Sequence, residues 1–568
     1  MNDTILIIGA TGVFGRRLAS HLARTEGYRV ALGSRSLARS EALAAQIAAR
    51  PETKAQLVPV ALDVTSGLAA TLKEVQPRVV VDCSGPFQHL DYRTPEAVAD
   101  AGAHFVDLAD ARDYIHGFGG ALDARFRAKG LVALTGASSS PALAASAVAA
   151  LAGGWQRIDH IEIAIAPGGQ SEIGEAAVVA ALSYCGRPVP VVSGRKPGKT
   201  IGWGSARRIS IKGLGCRTVA PVETADAELL HALHPAAASI RFSAGLGSSL
   251  EQWGLRAIAR LYRWKILREP GGLAPLLTRA RKLTRLFTGA TGAMLVRVVG
   301  IDQAGQWTQA EWRLIAYQNQ GPQVPPSPAA AAVRAILAGN VSPGARVALG
   351  LPLASIEAEL ESYAIEITRE VEHSDRNVVQ TAIGDTAFES LPLAIRAFHR
   401  ADARVIWSGC ADVDGATSML GQLAARMIGL PKEGRGVPVT VSIAREAATG
   451  RAQPPAETWT RDFDGRRFAS RLASSSPGKT IESFGPISFR IGLGAEAGRL
   501  FYPVTGWWLG PLPLPAALAP RSETCEWQDP QGRFNFDVRL SHPLLGTLGN
   551  YRGWLMPAET DVATCEVV

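Results

Sequence analysis

The chain is 568 residues long, which is too long for a single hydrophobic core, so about three domains are expected. Hydrophobic residues account for 47% and charged residues for 19% of the chain, which is typical of a globular protein and excludes a disordered or fibrous one. The net charge of +8 at pH 7 is concentrated in one segment near the middle of the chain.

A glycine-rich turn follows the first predicted strand. The apolar run 5–8 leads into Gly9, Ala10, Thr11, Gly12, Val13, Phe14 and Gly15, and an amphipathic helix is expected over 16–23. Gly9 would allow the tight turn, Gly12 would let a pyrophosphate approach the backbone, and Gly15 would let the helix pack against the strand. The helix N-terminus favours an anion. The pattern predicts a dinucleotide site; the alternative is a tight turn that binds nothing.

The end of the second predicted strand, at 28–32, indicates which dinucleotide. A site for NAD usually has an acid here to bind the ribose hydroxyls, whereas a site for NADP has Arg and small polar groups for the 2′-phosphate. No acid occurs between Glu26 and Glu41, and the strand is followed by Ser34, Arg35 and Ser36. We therefore predict NADP (NADPH) rather than NAD, with a contribution from Arg39. The alternative is that the two arginines are solvated charges at a helix start.

The next segments alternate in type. Strands are predicted at 57–63, 78–83, 104–108 and 131–136, with helices at 66–75, 94–101 and 119–129. This alternation predicts a doubly wound parallel sheet, an α/β Rossmann domain spanning 1–145. Asp63 ends the third strand, where such folds often contact the adenine. Ser84, Gly85 and Pro86 follow the fourth strand, at the edge where ligands bind.

Three motifs carry a family resemblance. The sequences GATGVFG at 9–15, CSGPF at 83–87 and AGAHFVDLAD at 101–110 resemble the saccharopine dehydrogenase-like NADP-binding family. The likeness is good over about the first 150 residues and looser to about 370, and Phe105 stands where the family usually has Tyr. It implies an NADP-dependent oxidoreductase whose glycine-proline turn lies beside the nicotinamide. It does not imply saccharopine as the substrate.

Short-chain dehydrogenases share this glycine spacing and are the main rival. They need a Tyr four residues before a Lys, because the ammonium lowers the pKa of the phenol for proton transfer. None of the nine Tyr has Lys at the fourth position after it. The sequence therefore disfavours that class.

The middle of the chain, 146–370, is predicted to be a mixed α/β substrate domain. Strands are expected at 159–167, at 188–192 and 208–212 as an antiparallel pair, and as a hairpin at 293–300 and 307–317. Helices are expected at 172–184 and 329–338. The cleft beside the nicotinamide would hold a small-molecule substrate.

A basic amphipathic segment, 252–288, lies within this domain. It contains nine Lys or Arg (256, 260, 263, 265, 268, 279, 281, 282 and 285) and one acid, Glu269. Leu255, Ile258, Ala259, Tyr262 and Ile266 fall on one face of a predicted helix, and a second basic helix is expected over 273–287. The segment can lie on an anionic membrane, cover the core as a solvated helix, or bind an acidic partner. It lacks a nucleic-acid-binding fold, so no nucleic-acid partner is predicted.

The last part, 385–557, is predicted to be a mainly antiparallel β domain with helices at 391–399 and 415–427. Strands are expected at 437–444, 457–463, 467–474, 481–493, 499–508 and 523–540. The sequences WTRDF at 459–463, FGP at 484–486, PLPLP at 511–515 and YRG at 551–553 resemble an uncharacterised domain, DUF4166. Such a sheet can enclose an apolar ligand or serve as a docking module.

The catalytic group is not fixed by the sequence. The candidates near the expected nicotinamide are His89, Asp107, Asp110 and Tyr114, and each can instead be a loop, capping or packing residue. The best interpretation is an NADP(H)-dependent oxidoreductase with an unknown, apolar or lipid-linked substrate. The alternatives are a non-catalytic NADP-binding sensor or scaffold, and a membrane-surface binding module.

Other sequence features bound these interpretations. The six scattered cysteines include no Cys-x-x-Cys or Cys-x-x-His pair, so no metal site is predicted. No apolar run reaches about 18 residues, the length of a membrane-spanning helix. The first strand begins without a basic leader, which predicts a cytoplasmic protein, with peripheral membrane contact through 252–288 as an addition. The oligomeric state stays open.

Overall fold

A computed structural model of the chain describes residues 3–88, 90–172, 175–193, 196–237, 239–267, 269–278, 288–304, 307–373, 377–399, 405–445, 455–474, 476 and 478–557. The chain forms two compact units. The first consists of Met1–Val298 and Ala310–Val371, and the second of Val299–Gln309 and Glu372–Val568. The domain boundaries predicted from the sequence, 1–145, 146–370 and 385–557, stay predictions.

The first sheet is a seven-stranded parallel sheet. From one edge to the other its strands are Gly344–Val347, Val132–Thr135, His104–Asp107, Val79–Asp82, Asp3–Ile8, Tyr28–Ser34 and Gln56–Ala61. All neighbouring pairs are parallel. The predicted doubly wound sheet is therefore confirmed. Its edge strand Gly344–Val347 comes from a distant part of the chain that the sequence pattern did not connect to this sheet.

Helices cover both faces of this sheet, each burying an apolar stripe against the strands. They are Gly15–Leu22, Leu37–Ala48, Leu68–Val75, Arg93–Asp100, Arg112–Ala128, Ala144–Ala152 and Ser327–Leu337. The fifth helix begins seven residues before the predicted start at Gly119. Tyr114, Phe118, Leu122 and Phe126 recur every four residues and are buried, and this packing outweighs the low helix propensity of the glycines between them.

The second sheet has nine strands of mixed direction, as predicted. Its main path is Arg207–Ile211, Gly215–Pro221, Ser239–Gly245, Arg157–Ala166, Gly292–Ile301, Trp307–Ala316 and Ile365–His373, and Pro188–Ser193 with Lys196–Ile201 branch from Ser239–Gly245. Further helices are Glu175–Ser183, Asp226–Leu233, Ser249–Arg263 and Leu353–Ala358.

The expected pairing of 188–192 with 208–212 is wrong. The strand Pro188–Ser193 pairs with Lys196–Ile201, and Arg207–Ile211 pairs with Gly215–Pro221. The second of these turns contains Gly213 and Gly215, which both have positive φ, and such residues close a hairpin at little cost. Each of the two strands therefore forms a hairpin with the strand next to it in sequence, and the two do not pair with each other.

The third sheet lies in the second unit and has thirteen strands, all antiparallel in the pairs described. In spatial order they are Gly494–Glu496, Arg499–Phe501, Arg521–Gln528, Phe534–His542, Gly546–Pro557, Val405–Asp414, Gly434–Arg445, Ala456–Phe463, Arg466–Ser474, Thr480–Phe484, Ile487–Ile491, Val504–Leu509 and Leu512–Pro513. Helices Val378–Ile383, Asp385–Glu389, Leu393–Phe398 and Met419–Ile428 accompany it. The predicted antiparallel domain is confirmed.

Several predicted strands in this sheet are too long. The segments 481–493, 499–508 and 523–540 each divide into two strands, at turns that contain Gly485, Pro503 and Gly532. Neither Val405–Asp414 nor Gly546–Pro557 was predicted as a strand from the sequence. These two strands pair with each other near the centre of the sheet.

Candidate functional site

The candidate site lies where the strand order of the parallel sheet reverses. The first strand, Asp3–Ile8, has the second strand on one side and the fourth, Val79–Asp82, on the other. Ligands of open parallel sheets bind in the crevice at the carboxyl ends of such a strand pair. Gly9 follows the first strand with φ of 74°, and a Cβ there would lie 3.1 Å from the carbonyl carbon of Cys83. Only glycine lets this turn pass the end of the fourth strand.

The glycine turn leads directly into a helix N-terminus. The helix begins at Gly15, where a Cβ would overlap the carbonyl oxygen of Gly9 and lie 2.9 Å from Cα of Ala10. Ala10 is buried and its N–H donates to the carbonyl oxygen of Gly33 at 2.9 Å, while Gly12 is exposed. Thr11, Val13 and Phe14 are half-buried between them. The turn thus forms an open cradle of backbone that fits a pyrophosphate, with the free N–H groups of the helix start beside it.

A loop of the second sheet reaches this turn. Arg16 and Arg17 both pair with the carboxylate of Glu172, which follows the strand Arg157–Ala166. Arg17 also donates from Nη1 to the carbonyl oxygen of Val13 at 2.5 Å. The end of the second sheet is therefore tied to the helix that starts at the cradle.

The adenosine side has the polar groups expected from the sequence. Ser34 is buried, and its hydroxyl lies 2.9 Å from the carbonyl oxygen of Ser36, to which it donates, and 2.8 Å from Oγ of Ser40. Ser36 caps the next helix by accepting from the N–H of Arg39 at 3.4 Å. These bonds give Ser34 a role in shaping the turn and leave the exposed Arg35 guanidinium as the charged group at its apex.

Asp63 lies on the same side of the crevice. Its Oδ1 accepts hydrogen bonds from the backbone N–H of Thr65 at 2.9 Å and from the Thr65 hydroxyl at 2.7 Å. These two bonds lower its pKa, and the nearby Arg35 lowers it further, so the carboxylate stays ionised. Asp63 and Arg35 are thus neighbours at the adenosine end.

The nicotinamide side begins with the loop after the fourth strand. Asp82 is buried and accepts from the N–H of Ser84 at 2.8 Å and from its hydroxyl at 2.6 Å. Burial raises the pKa of Asp82. The bonds hold the turn of Ser84, Gly85 and Pro86 at the mouth of the crevice, where Ser84 and Pro86 are exposed.

The structure gives Asp107 an interior position. Its Oδ1 accepts from the N–H groups of Ala109 and Gly136 at 2.9 and 2.8 Å and from the hydroxyl of Thr135 at 2.8 Å. The residue is fully buried, and burial raises its pKa to about 7. Asp107 therefore links the loop after its own strand to the end of the neighbouring strand Val132–Thr135, inside the core.

Tyr114 is a neighbour of Asp107 in this interior cluster. Its ring packs 5.5 Å from Phe87 and 5.0 Å from Tyr92, and burial together with the Asp107 carboxyl raises its pKa. Two of the four catalytic candidates are thus brought together inside the core. A third, His89, lies outside the described residues.

Asp110 is the candidate that faces outward. It is exposed at the surface of the loop after the strand His104–Asp107, and Gln88 donates to its Oδ1 from Nε2 at 3.3 Å. Desolvation raises its pKa. Burial first, and then the nearby carboxylates of Asp110 and Glu223, raise the pKa of Tyr184. Asp110, Tyr184 and Glu223 therefore share one region at the carboxyl edge of the parallel sheet.

Sequence reasoning missed Tyr184 and a second acid at this edge. Asp226 is buried at the start of the helix Asp226–Leu233, accepts from the hydroxyl of Ser140, and has its pKa raised to about 6 by burial. Ser140 lies in the serine-rich turn after the strand Val132–Thr135. The partner of Ser140 lies 86 residues further along the chain, and no spacing signal connects the two residues.

The fold and the cradle define a dinucleotide-binding domain of the doubly wound class. Residues 5–134 match the family model described as the saccharopine dehydrogenase NADP binding domain. Residues 391–555 match the model of a domain of unknown function, DUF4166. Both predicted resemblances are confirmed, and the family supports an oxidoreductase that binds a nicotinamide cofactor.

Two dehydrogenases are among the solved structures that a structural comparison matches to the chain. Apo saccharopine dehydrogenase (L-Glu forming) from Saccharomyces cerevisiae is 13% identical, covers 65% of this chain and 100% of its own, and has a TM-score of 0.45. Amine dehydrogenase from Mycobacterium smegmatis is 12% identical, covers 61% of this chain and 95% of its own, and has a TM-score of 0.34. No curated protein sequence matches the chain.

The basic segment presents an apolar surface beside its charges. The helix Ser249–Arg263 buries Leu255, Ile258 and Ala259, as predicted, but its opposite side and the residues after it expose large apolar side chains. These are Leu250, Trp253, Leu261, Trp264, Ile266 and Leu276, which we call the apolar ridge. Trp253 is 71% and Trp264 63% exposed.

Four basic residues flank the apolar ridge. Arg256, Arg260, Arg263 and Lys265 are all exposed. The helix ends at Arg263 and Lys265 has a positive φ of 61°, so the chain turns and Ile266 is exposed instead of joining the predicted buried face. The other predicted basic residues, 268, 279, 281, 282 and 285, lie outside the described residues, as does most of the second predicted helix. Across the described ranges, every helix is too short or too polar to cross a bilayer.

Proposed function

We propose that the chain is an NADP(H)-dependent oxidoreductase that acts on a small apolar molecule. The observation that carries the proposal is the glycine turn at the strand reversal, where a Cβ at Gly9 or Gly15 would collide with neighbouring backbone, so that glycine is needed to bring the turn and the helix start together. The match of residues 5–134 to a family of NADP-binding domains supports the same assignment. NADPH, when bound, supplies a hydride.

The preference for NADP over NAD rests on the adenosine side. Arg35 is exposed at the end of the second strand, where an NAD site has an acid that accepts from the ribose hydroxyls. A guanidinium binds a phosphate dianion through paired hydrogen bonds and charge. Asp63, whose pKa is lowered by its bonds to Thr65 and then by Arg35, is directed by those two bonds to its own turn.

Among the catalytic candidates, Asp110 is the best proton donor or acceptor. Asp110 is the described candidate that is exposed as a residue, whereas Asp107 and Tyr114 are buried in a packed cluster. Desolvation raises the pKa of Asp110, which brings its protonated form closer to neutral pH, as a general acid requires. Gln88 orients the carboxyl, and Tyr184, whose pKa is raised by burial and then by Asp110, is the second polar residue that we propose for this site.

The catalytic proposal is tested by comparing Asp110→Asn with Asp113→Asn. Asp113 is an exposed acid on the neighbouring helix whose carboxylate pairs with Arg112, so it controls for charge. Oxidation of NADPH would be followed with a panel of apolar ketones and enones as acceptors. We expect Asp110→Asn to lower kcat about 100-fold at unchanged NADPH affinity, and Asp113→Asn to behave as wild type.

Other outcomes would decide against this assignment. Equal activity of both variants would remove Asp110 from the mechanism. Tight NADPH binding with no oxidation by any acceptor would favour a non-catalytic NADP-binding sensor or scaffold.

A second proposed function is contact with an anionic membrane through the apolar ridge. Tryptophan and leucine side chains that project from a basic surface insert at the boundary between headgroups and acyl chains, while Arg and Lys bind the anionic headgroups. The exposure of Trp253 and Trp264 beside Arg256, Arg260 and Lys265 supports this contact.

Vesicle binding tests the membrane contact. We expect the protein to bind phosphatidylserine-containing vesicles more tightly than pure phosphatidylcholine vesicles, and the binding to weaken with salt. Leu250→Ala should reduce it, whereas Leu544→Ala, at an equally exposed leucine (71% and 73%), should not. Equal binding to both vesicle types, or no effect of Leu250→Ala, would reject the contact.

A further inference from the structure

The antiparallel sheet of the second unit curls around a cavity. The cavity contains about 1320 Å³ of empty space, including its open mouth. Its walls come from strands at both ends of the sheet order: Glu482 and Phe489 belong to one half, and Thr524 and Phe536 to the other. Residues from distant strands can face one cavity only if the sheet bends back on itself.

The cavity is apolar and has a deep end and a mouth. Phe398, Trp459, Leu472, Phe534 and Leu555 line it and are almost fully buried, so they form the deep end. The lining residues Phe484, Ile487, Phe489, Val538 and Leu540 are half-buried and mark the opening to solvent. Ligand pockets are typically lined in this way, by apolar and aromatic side chains with a few polar groups.

Two clusters of three polar or charged residues reach this lining, through Tyr502 and Glu526 in one and through Arg461 and Glu482 in the other. Near the deep end, Glu526 lies 2.7 Å from Nε2 of His399, which is 3.3 Å from the hydroxyl of Tyr502. Higher in the wall, Arg461 pairs with Glu482 at 3.4 Å and donates to the Ser470 hydroxyl at 2.9 Å. Ser470 in turn donates to Glu482 at 2.6 Å.

The charges of these groups exclude an anionic ligand. The Arg461 guanidinium is already paired with Glu482, and the second carboxylate in the wall, Glu526, already has His399 as its partner. A fatty-acid carboxylate would therefore meet two acids and one paired base in a poorly solvated space, which is unfavourable. A hydroxyl or carbonyl group carries no such cost and can bond to Arg461, Tyr502 or Glu526.

We propose that the second unit binds an uncharged amphiphile, a long-chain alcohol, ketone or ester, with its chain in the cavity and its polar group on these side chains. This binding site is separate from the nucleotide cradle and does not depend on the proposed oxidoreductase activity. It would give the domain of unknown function a role as a lipid-binding module.

Binding to the full-length protein would be measured with the uncharged fluorescent probe 1-aminoanthracene, displaced by hexadecanol or by hexadecanoic acid. We expect hexadecanol to displace the probe at least about tenfold more effectively than the acid. Preferential displacement by the acid, or no probe binding by wild type, would overturn the proposal.

Two neighbouring substitutions test the location. Val441 lines the cavity, and Thr440 lies next to it on the exposed side of the same strand. Val441→Trp should fill the cavity and weaken probe binding at least about tenfold, while Thr440→Trp should leave it unchanged. Equal binding by the two variants would show that the probe binds elsewhere.

A charge change tests the selectivity and does not rely on filling the core. In Glu482→Gln the Arg461 guanidinium loses its carboxylate partner. The preference should then shift toward hexadecanoic acid, while NADPH affinity stays at the wild-type value and reports an intact first unit. An unchanged preference would contradict the role of this pair in excluding anions.

Discussion

Asp107 in the parallel sheet and Glu526 in the curled sheet are both buried carboxylates, but their surroundings differ. Asp107 accepts three hydrogen bonds from the loops after two strands and has packed aromatic rings beside it. Glu526 has His399 as its close partner and forms part of a cavity wall. Both carboxylates are thus buried, but Glu526 borders a cavity, whereas Asp107 is surrounded by packed groups.

This difference shows why burial of an acid does not by itself identify a functional group. Two of the three donors to Asp107 are backbone N–H groups, so its carboxyl organises the backbone around it. The carboxyl of Glu526 adjoins empty volume that a ligand can enter. A buried titratable group therefore becomes a binding candidate when open space lies beside it.

The largest expected effect is at Asp107. Asp107→Ala would leave two backbone N–H groups and the Thr135 hydroxyl buried without their acceptor, and we expect a loss of about 3 kcal/mol or more in the free energy of unfolding of the first unit. Denaturant titration would measure it. Asp107→Asn keeps an acceptor oxygen and should lose less than half as much. Equal losses would show that the hydrogen bonds are not the reason for the effect.

The pH dependence of the same residue gives the next effect. The pKa of Asp107 is raised to about 7, first by burial, while an unfolded Asp titrates near about 4. The folded protein therefore binds more protons between these values, and the stability this gives is present in acid and lost as the pH rises through about 7. Relative to Asp107→Asn, the wild type should lose up to about 4 kcal/mol between pH 4 and pH 8. A constant difference would contradict the raised pKa.

A smaller effect is expected at Glu526. Glu526→Ala removes the acceptor beside His399, but water can enter from the cavity and take its place. We expect a loss of about 1 kcal/mol in the free energy of unfolding of the second unit, clearly below that of Asp107→Ala. Thermal unfolding followed by tryptophan fluorescence would report it. A loss as large as at Asp107 would mean that the cavity wall is as tightly packed as the first core.

The nucleotide-binding fold was predictable because its signals are local. The apolar strand, the glycine turn and the helix that follows are contiguous in sequence, and the positive φ of Gly9 and the close approach at Gly15 follow from that pattern. Arg35 was predictable in the same way, from the position directly after a strand.

The remaining features depend on contacts between distant segments. The strand Gly344–Val347 joins a sheet whose other strands end at residue 135, and Asp226 meets Ser140 across 86 residues. The interior position of Asp107 depends on Thr135 and Gly136 folding back over it. The cavity forms because strands from both ends of a long sheet converge. No periodicity or spacing in the sequence predicts these contacts between distant segments.

The most direct test of the central claim is a fluorescence titration of the purified protein with NADPH and with NADH, for wild type, Arg35→Ala and Arg39→Ala. We expect wild type to bind NADPH more tightly than NADH. Arg35→Ala should lose about 10- to 100-fold in NADPH affinity with little change for NADH, because a charged hydrogen bond to the 2′-phosphate is lost. Arg39→Ala should have the smaller effect. Absence of binding of either nucleotide to wild type would contradict the account and leave the glycine turn a purely structural feature.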